Sequence, residues 1–287
     1  MMRFDYAEPA TVGEAVALLG ASPGRAAVIA GGTDLLVQMR EHVRAPAQVI
    51  NIKKILGLEA LHFDPAAGLT IGALTTTRAV ETSEFVRRHY AGLHASVVHF
   101  ASIQVRNRAT VVGNVCRASP SADTLPPLIA DAATLLVQGR SGTRTVAVED
   151  FCTGPGTTVL APDELVTRIA VPAPPPHTGK VYLKHGRRTE MELATVGVAV
   201  KLTLDGAACR DVRIVLAAVA PTPLRAVAAE AALRHRFVDA ASIAAAAEAA
   251  AAEARPIGDV RGSAEYRREM VGVLTRRALQ QALEAAR

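Results

Sequence analysis

Two glycines in the stretch VIAGGTDLLVQMR, Val28 to Arg40, interrupt an apolar run where its pattern changes from strand-like to helical. Residues without Cβ let the chain turn sharply and leave peptide N–H groups bare, which suits an anion and above all a phosphate. The same residues also serve as a plain strand-to-helix turn, with Thr33 or Asp34 as N-cap. A second stretch, RNRATVVGNVCRASPSADTLPP at 106–127, puts Thr110, Gly113 and Asn114 just after a helical segment and Asp123 ahead of two prolines. Two separated backbone loops of this kind can clamp a diphosphate from both sides. Neither contains the GK[ST] of a Walker A loop or the GxGxxG of a Rossmann unit, and Gly154 and Gly156 in FCTGPGTT lack a third glycine. Arg106 and Arg108 either neutralise phosphate charge or lie on the surface.

Side-chain chemistry is sparse. There is no HExxH and no GxSxG, and the nearest spaced histidines, His94 and His99, are wrongly placed for one helical face. Cys116, Cys152 and Cys209 are far apart and lack a CxxC pair, which argues against a disulfide frame or a zinc site. An iron–sulfur cluster needs about four thiolates, so any cluster must sit on another chain. The chemistry is therefore assigned to an organic cofactor, with no catalytic side chain and no metal of the chain's own.

The 287 residues are 50% apolar, enough for two or three packed units, and only 3% aromatic with no Trp, so small aliphatic side chains must fill the cores. The formal charge is +5, but Arg is scattered and not interleaved with aromatics, which argues against nucleic acid and fits a phosphate-bearing ligand or an acidic partner. Neither a signal-like apolar region nor a membrane-length apolar window is present, so a cytoplasmic protein is expected.

These loops need elements to hold them. Thr11 and Glu14 predict a capped helix that stops at Gly20. AAVIA reads as a strand, LLVQMR as a helix and QVINIKKI as a strand. Residues 61–80 read as a hairpin feeding a helix capped by Thr76 or Thr77, with helix continuing over 81–105. A glycine and proline loop is predicted at 113–127, then a helix PPLIADAATLLV, with short strands over 134–171. VPAPPPHTG, 171–179, predicts a stiff linker. Three antiparallel strands follow, with a turn at Asp205-Gly206, and then an alanine-rich helical tail.

AGGTDLL at 30–36, QVRNRATVVGNVCRASPSADT at 104–124, FCTGPGTTVLAPDELV at 151–166 and YLKHGRR at 182–188 resemble, in order, the FAD-binding medium subunit of the molybdenum hydroxylases. That family includes the flavoprotein subunits of xanthine dehydrogenase and carbon monoxide dehydrogenase. ATVGVAVKL, VLAAVAPTPLRA and EYRREMVGVLTRRAL resemble its C-terminal domain, so the likeness runs nearly end to end. It implies an α+β fold: a two-lobed FAD-binding domain of the vanillyl-alcohol oxidase (PCMH) type, then a three-stranded antiparallel sheet with a helix bundle. The implied bounds are 1–57, 58–175 and 176–287.

By this resemblance Val28, Ile29, Ala30, Gly31, Gly32, Thr33, Asp34 and Leu35 wrap the FAD pyrophosphate, and Thr110, Val111, Val112, Gly113 and Asn114 form a second clamp. Asp123 binds ribityl or ribose hydroxyls, Lys184 lies near the flavin, and Phe100 and Val166 pack on its rings. The Asp34 carboxylate would repel a diphosphate, so Asp34 is assigned backbone contact and capping. One departure stands out: Val112 replaces the first glycine of the family's T-[IV]-G-G-N. A β-branched residue at positive φ costs about 1–2 kcal/mol, so either φ is negative there or the loop is shifted.

The implied function is electron relay within a larger hydroxylase. A molybdopterin-binding large subunit and a 2Fe-2S small subunit, on separate chains, would feed electrons to FAD, with NAD or another acceptor receiving them. A self-contained FAD oxidase or dehydrogenase and a flavin-free scaffold are the alternatives.

Overall fold

The computed structural model describes residues 2–188 and 191–287. Strand β1 (Asp5–Ala7), helix α1 (Val12–Ala21), strand β2 (Ala26–Ile29), helix α2 (Leu35–Arg40) and strand β3 (Gln48–Asn51) come first. Their strands form a parallel sheet ordered β1-β3-β2. Thr11 caps α1, its hydroxyl accepting from the Glu14 amide at 3.1 Å, while the Glu14 carboxylate accepts from the Ala10 amide at 2.8 Å. Gly20 lies inside α1 and does not end it; a Cβ there would meet the Arg140 side chain, so this glycine serves a close approach.

The hairpin of β4 (Leu61–Asp64) and β5 (Gly68–Gly72) leads to α3 (Thr77–Thr82), whose cap is the Thr76 hydroxyl. The predicted continuous helix over 81–105 is instead α4 (Glu84–His89), α5 (Ala91–Val98) and α6 (Ile103–Arg106). Ser83 and Ser102 interrupt it by accepting from the Val86 and Val105 amides as new N-caps. The predicted loop at 113–127 also differs. It begins within α7 (Val111–Arg117) and ends in α8 (Leu125–Ala130), which leaves only 118–124 irregular. Leu135, Leu136 and Val137, read both as the end of that helix and as the first of the short strands, belong to β6 (Thr134–Gly139), because a short apolar run suits either period. Strands β7 (Gly142–Ala147), β8 (Cys152–Gly154), β9 (Thr157–Thr158) and β10 (Leu165–Val171) complete this part. An antiparallel sheet ordered β4-β5-β10-β6-β7 and a β8-β9 ribbon result.

After the prolines, β11 (Thr178–His185), β12 (Val196–Asp205) and β13 (Ala208–Ala217) form the expected meander, turning between β12 and β13 at Gly206 with φ of 58°. A fourth strand, β14 (Leu224–Arg225), pairs with β13. Two residues carry no readable alternation, so the three-stranded prediction missed it. Helices α9 (Val227–Leu233), α10 (Ala240–Glu253) and α11 (Ala264–Ala286) follow. Val198, Val200 and Leu202 of β12 share a core with Ala246, Ala250, Ala278 and Ala282 of α10 and α11. Ala199 of β12 and Val215 of β13 point the other way, into the core of the preceding part. The sheet is thus buried on both faces. Among the described residues no helix is long and apolar enough to cross a membrane.

Alternate residues of a strand share a face. Lys180, Tyr182 and Lys184 of β11 use theirs to grip both ends of α8. Lys180 Nζ lies 2.7 Å from Asp131 Oδ1, Lys184 Nζ lies 2.8 Å from Asp123 Oδ2, and the Tyr182 hydroxyl donates to Asp123 Oδ1 at 2.7 Å. All five residues except Lys184 are buried outright, and both ion pairs are shielded from water.

Candidate functional site

A groove of about 530 Å³ is bordered by the β2–α2 turn, the start of α7 and the start of β10. Its first wall explains the two glycines separately. A Cβ on Gly31 would overlap the Arg108 carbonyl, so the turn packs directly on the backbone that precedes α7. Gly32 has φ of 78°, the left-handed region that disfavours side chains. The amides of Gly32, Thr33, Asp34 and Leu35 donate to no group among the described residues.

The second wall is the first turn of α7. The Thr110 hydroxyl accepts from the Gly113 amide at 3.0 Å, and the Thr110 carbonyl accepts from the Asn114 amide at 3.0 Å. The Val112 amide donates to no group among the described residues. Val112 is helical, with no positive φ, and only 4% exposed; the negative-φ alternative therefore applies and no strain is stored there. The remaining wall is mostly apolar, with Val28, Ile52, Ala73, Leu165 and Val166, and Phe100 stands at its edge. Unpaired backbone donors beside an apolar wall suit a ligand that joins a diphosphate to an aromatic ring system.

Three expected residues do not border the groove: Val111, Asp123 and Lys184. Val111 is fully buried and its amide donates to the Thr75 carbonyl at 3.3 Å, so it belongs to the core. Asp123 and Lys184 are paired with each other behind the groove. Burial pushes the Asp123 carboxyl up, while the Lys184 ammonium and the Tyr182 hydroxyl pull it back. Burial beside Asp123 raises the Tyr182 phenol well above its ordinary range. A link to the groove remains, since the Thr124 hydroxyl donates to Asn114 Oδ1 at 2.6 Å.

Asp34 corrects its assigned capping role. Its side chain makes no cap bond; instead its carboxylate lies 3.5 Å from Arg117 Nε. Arg106 is neither a phosphate ligand nor a loose surface residue. It donates from Nη1 to the Val98, Phe100 and Ala101 carbonyls and pairs with Glu81 at 3.0 Å, fixing the bend that carries Phe100. Arg108 contributes its carbonyl behind Gly31, and its side chain is not part of the groove.

The sequence reading missed Gln38, Arg44 and Arg117, which all border the groove. Arg117 had a signal: it lies four residues after Gly113, one helical turn on the same face. That signal was invisible while the segment was read as a loop. Cys116 also borders the groove, and burial raises its thiol to about 12.

Residues 2–174 match the family described as FAD binding domain in molybdopterin dehydrogenase, and residues 181–282 match the CO dehydrogenase flavoprotein C-terminal domain. The chain is 35% identical to the carbon monoxide dehydrogenase medium chain of Hydrogenophaga pseudoflava, over 96% of each chain. It is 30% identical to the xanthine dehydrogenase FAD-binding subunit of Escherichia coli O157:H7, over 99% of this chain and 98% of the other. A solved carbon monoxide dehydrogenase from Hydrogenophaga pseudoflava, lacking the Mo-pyranopterin moiety, superposes with a TM-score of 0.95 at 37% identity, covering 99% of this chain and 98% of that one. With both family matches in place across two adjoining domains, the chain belongs to the FAD-binding medium subunits of the molybdenum hydroxylases.

Proposed function

We propose that the chain holds FAD in this groove and serves as the electron-relay subunit of a larger molybdenum hydroxylase. The observation that carries the reading is the set of unpaired amides at Gly32 to Leu35 and at Val112, on two backbone segments that border one groove. Amide donors fixed by the fold bind phosphate oxygens without reorganising. In this reading residues 1–57 and 58–175 are the two lobes of the cofactor unit and 176–287 the third domain.

Each expected residue except Val111, which belongs to the core, then has a stated task. Gly31 lets the two loops meet, and Gly32 to Leu35 with Val112 supply donors. Val28, Ile29, Ala30, Phe100 and Val166 supply apolar contact, while Thr110, Gly113 and Asn114 shape the second wall. Asp123, whose carboxylate is held off the groove by Lys184 and Tyr182, is assigned the ribityl or ribose hydroxyls only indirectly, by way of its neighbour Thr124, whose hydroxyl orients Asn114 on the groove. FAD, when bound, accepts single electrons and returns them in pairs. The electrons would come from iron–sulfur clusters on a small subunit, supplied by a molybdopterin-binding large subunit, and would leave to NAD or another acceptor. The relatives bearing the names of carbon monoxide and xanthine dehydrogenase subunits support this division of labour.

Copurification of the untagged partners with the full chain, followed by flavin, iron and molybdenum analysis, tests it. Flavin on this chain with both metals on other chains is the expected result. A chain that stays colourless in excess FAD refutes the proposal.

A further inference from the structure

We infer that Arg117 is a diphosphate-binding side chain of the groove, held beside the glycine turn by Asp34 and released from it when the cofactor binds. The inference rests on the FAD reading and names the side chain that recognises the cofactor's charge. Four charged side chains border the groove: Asp34, Arg44, Arg117 and Glu164. Glu164 is already neutralised, because both its carboxylate oxygens accept from Arg144 at 2.7 Å. Asp34 is the acid left facing an incoming anion, and it sits among the unpaired amides of the turn. A lone carboxylate there opposes a diphosphate by direct repulsion. Its partner removes the conflict.

The Asp34–Arg117 pair is loose. Its 3.5 Å separation exceeds the roughly 2.7–2.9 Å of a good charge-assisted bond. The side chains are 59% and 39% exposed, and exchanging so open a pair costs little. Asp34 caps no helix, so nothing else among the described residues holds its carboxylate in place. A diphosphate offers the planar guanidinium fork a more highly charged, geometrically matched acceptor. Room for the guanidinium is built in: Gly156 has φ of 76°, and a Cβ there would stand 3.2 Å from Arg117 Nη1. The Gly156 amide donates to the Ala118 carbonyl at 2.8 Å, which fastens the β8–β9 ribbon beside the end of α7. Arg117 is thus presented to the turn from an anchored position.

The test is fluorescence titration of the full chain with FAD at low and high salt, using the wild type, Arg117→Gln, Arg117→Lys and Asp34→Asn. Arg117→Gln is expected to weaken binding about ten- to thirtyfold at low salt, with a smaller loss at high salt, as for a lost charge-assisted contact. Arg117→Lys, which keeps the charge without the fork, should fall between. Asp34→Asn should bind at least as tightly as wild type, because the competing acid is gone; this arm decides the matter if Arg117→Gln fails to fold. An unchanged affinity in Arg117→Gln, a loss independent of salt, or a clear weakening in Asp34→Asn overturns the inference while the FAD reading stands. A wild type that takes up no FAD overturns both.

Discussion

The Arg108 carbonyl occupies the space in which a side chain on Gly31 would begin. The two backbone segments that border the groove therefore touch each other before any ligand arrives, and the distance between them is fixed by that contact. Gly31→Ala must push them apart, because the obstacle is backbone and cannot rotate away. Overpacking of this kind costs about 1–3 kcal/mol. A lower Tm together with an FAD affinity reduced at least about tenfold is expected, that loss corresponding to about 1.4 kcal/mol. Unchanged FAD titration in a folded Gly31→Ala chain would refute the account.

Val112→Gly tests the second wall in the opposite sense. If the valine were strained, glycine would relieve it; but Val112 is helical and buried, so glycine removes packing and loosens α7. Helix propensity alone costs about 0.4 kcal/mol, and the lost side chain adds about 1–2 more. Urea denaturation should show a lower midpoint, and FAD affinity should not rise.

Lys180 and Asp131 form a buried ion pair, with Lys180 Nζ also 4.1 Å from the centre of the Tyr90 ring. Removing one partner leaves a buried charge without the counter-ion that contacts it. Lys180→Met is expected to cost about 3–5 kcal/mol, and Lys180→Met combined with Asp131→Leu to recover most of it. A double variant no more stable than the single one in denaturant titration would show that the pair is not what holds the seam.

Acid should weaken the groove's far wall. Arg144 holds the Glu164 carboxyl below its ordinary 4.5, aided by the Ala161 amide. A carboxyl lowered in the folded state contributes stability above its unfolded value, and that contribution disappears as pH falls through the lowered folded value. Wild-type Tm should therefore drop below about pH 4.5, and Arg144→Gln should show a smaller acid-induced drop. Parallel Tm–pH curves for the two chains would contradict this.

The glycine turn was legible because β2 and α2 differ in hydrophobic period on either side of it, and Thr11 and Thr76 announced their helices as caps. Helix α7 was not legible, since Gly113 and Asn114 are poor helix formers and read locally as a loop. Tertiary burial of Val111, Val112 and Val115 overrides that preference. Arg117 was lost with the helix. Asp123 and Lys184 were noticed singly, but their partnership joins residues 61 positions apart, which no local pattern reveals.

The lysines of β11 also bear on how this chain can be inherited. Asp123 and Asp131 belong to the cofactor-holding part, yet their counter-ions arrive from the first strand of the next. Recombination joining this front portion to an unrelated back portion would strand two interior carboxylates, unless the newcomer brought cations at alternate-face positions four residues apart. Exchanging either portion alone therefore carries the cost of both ion pairs.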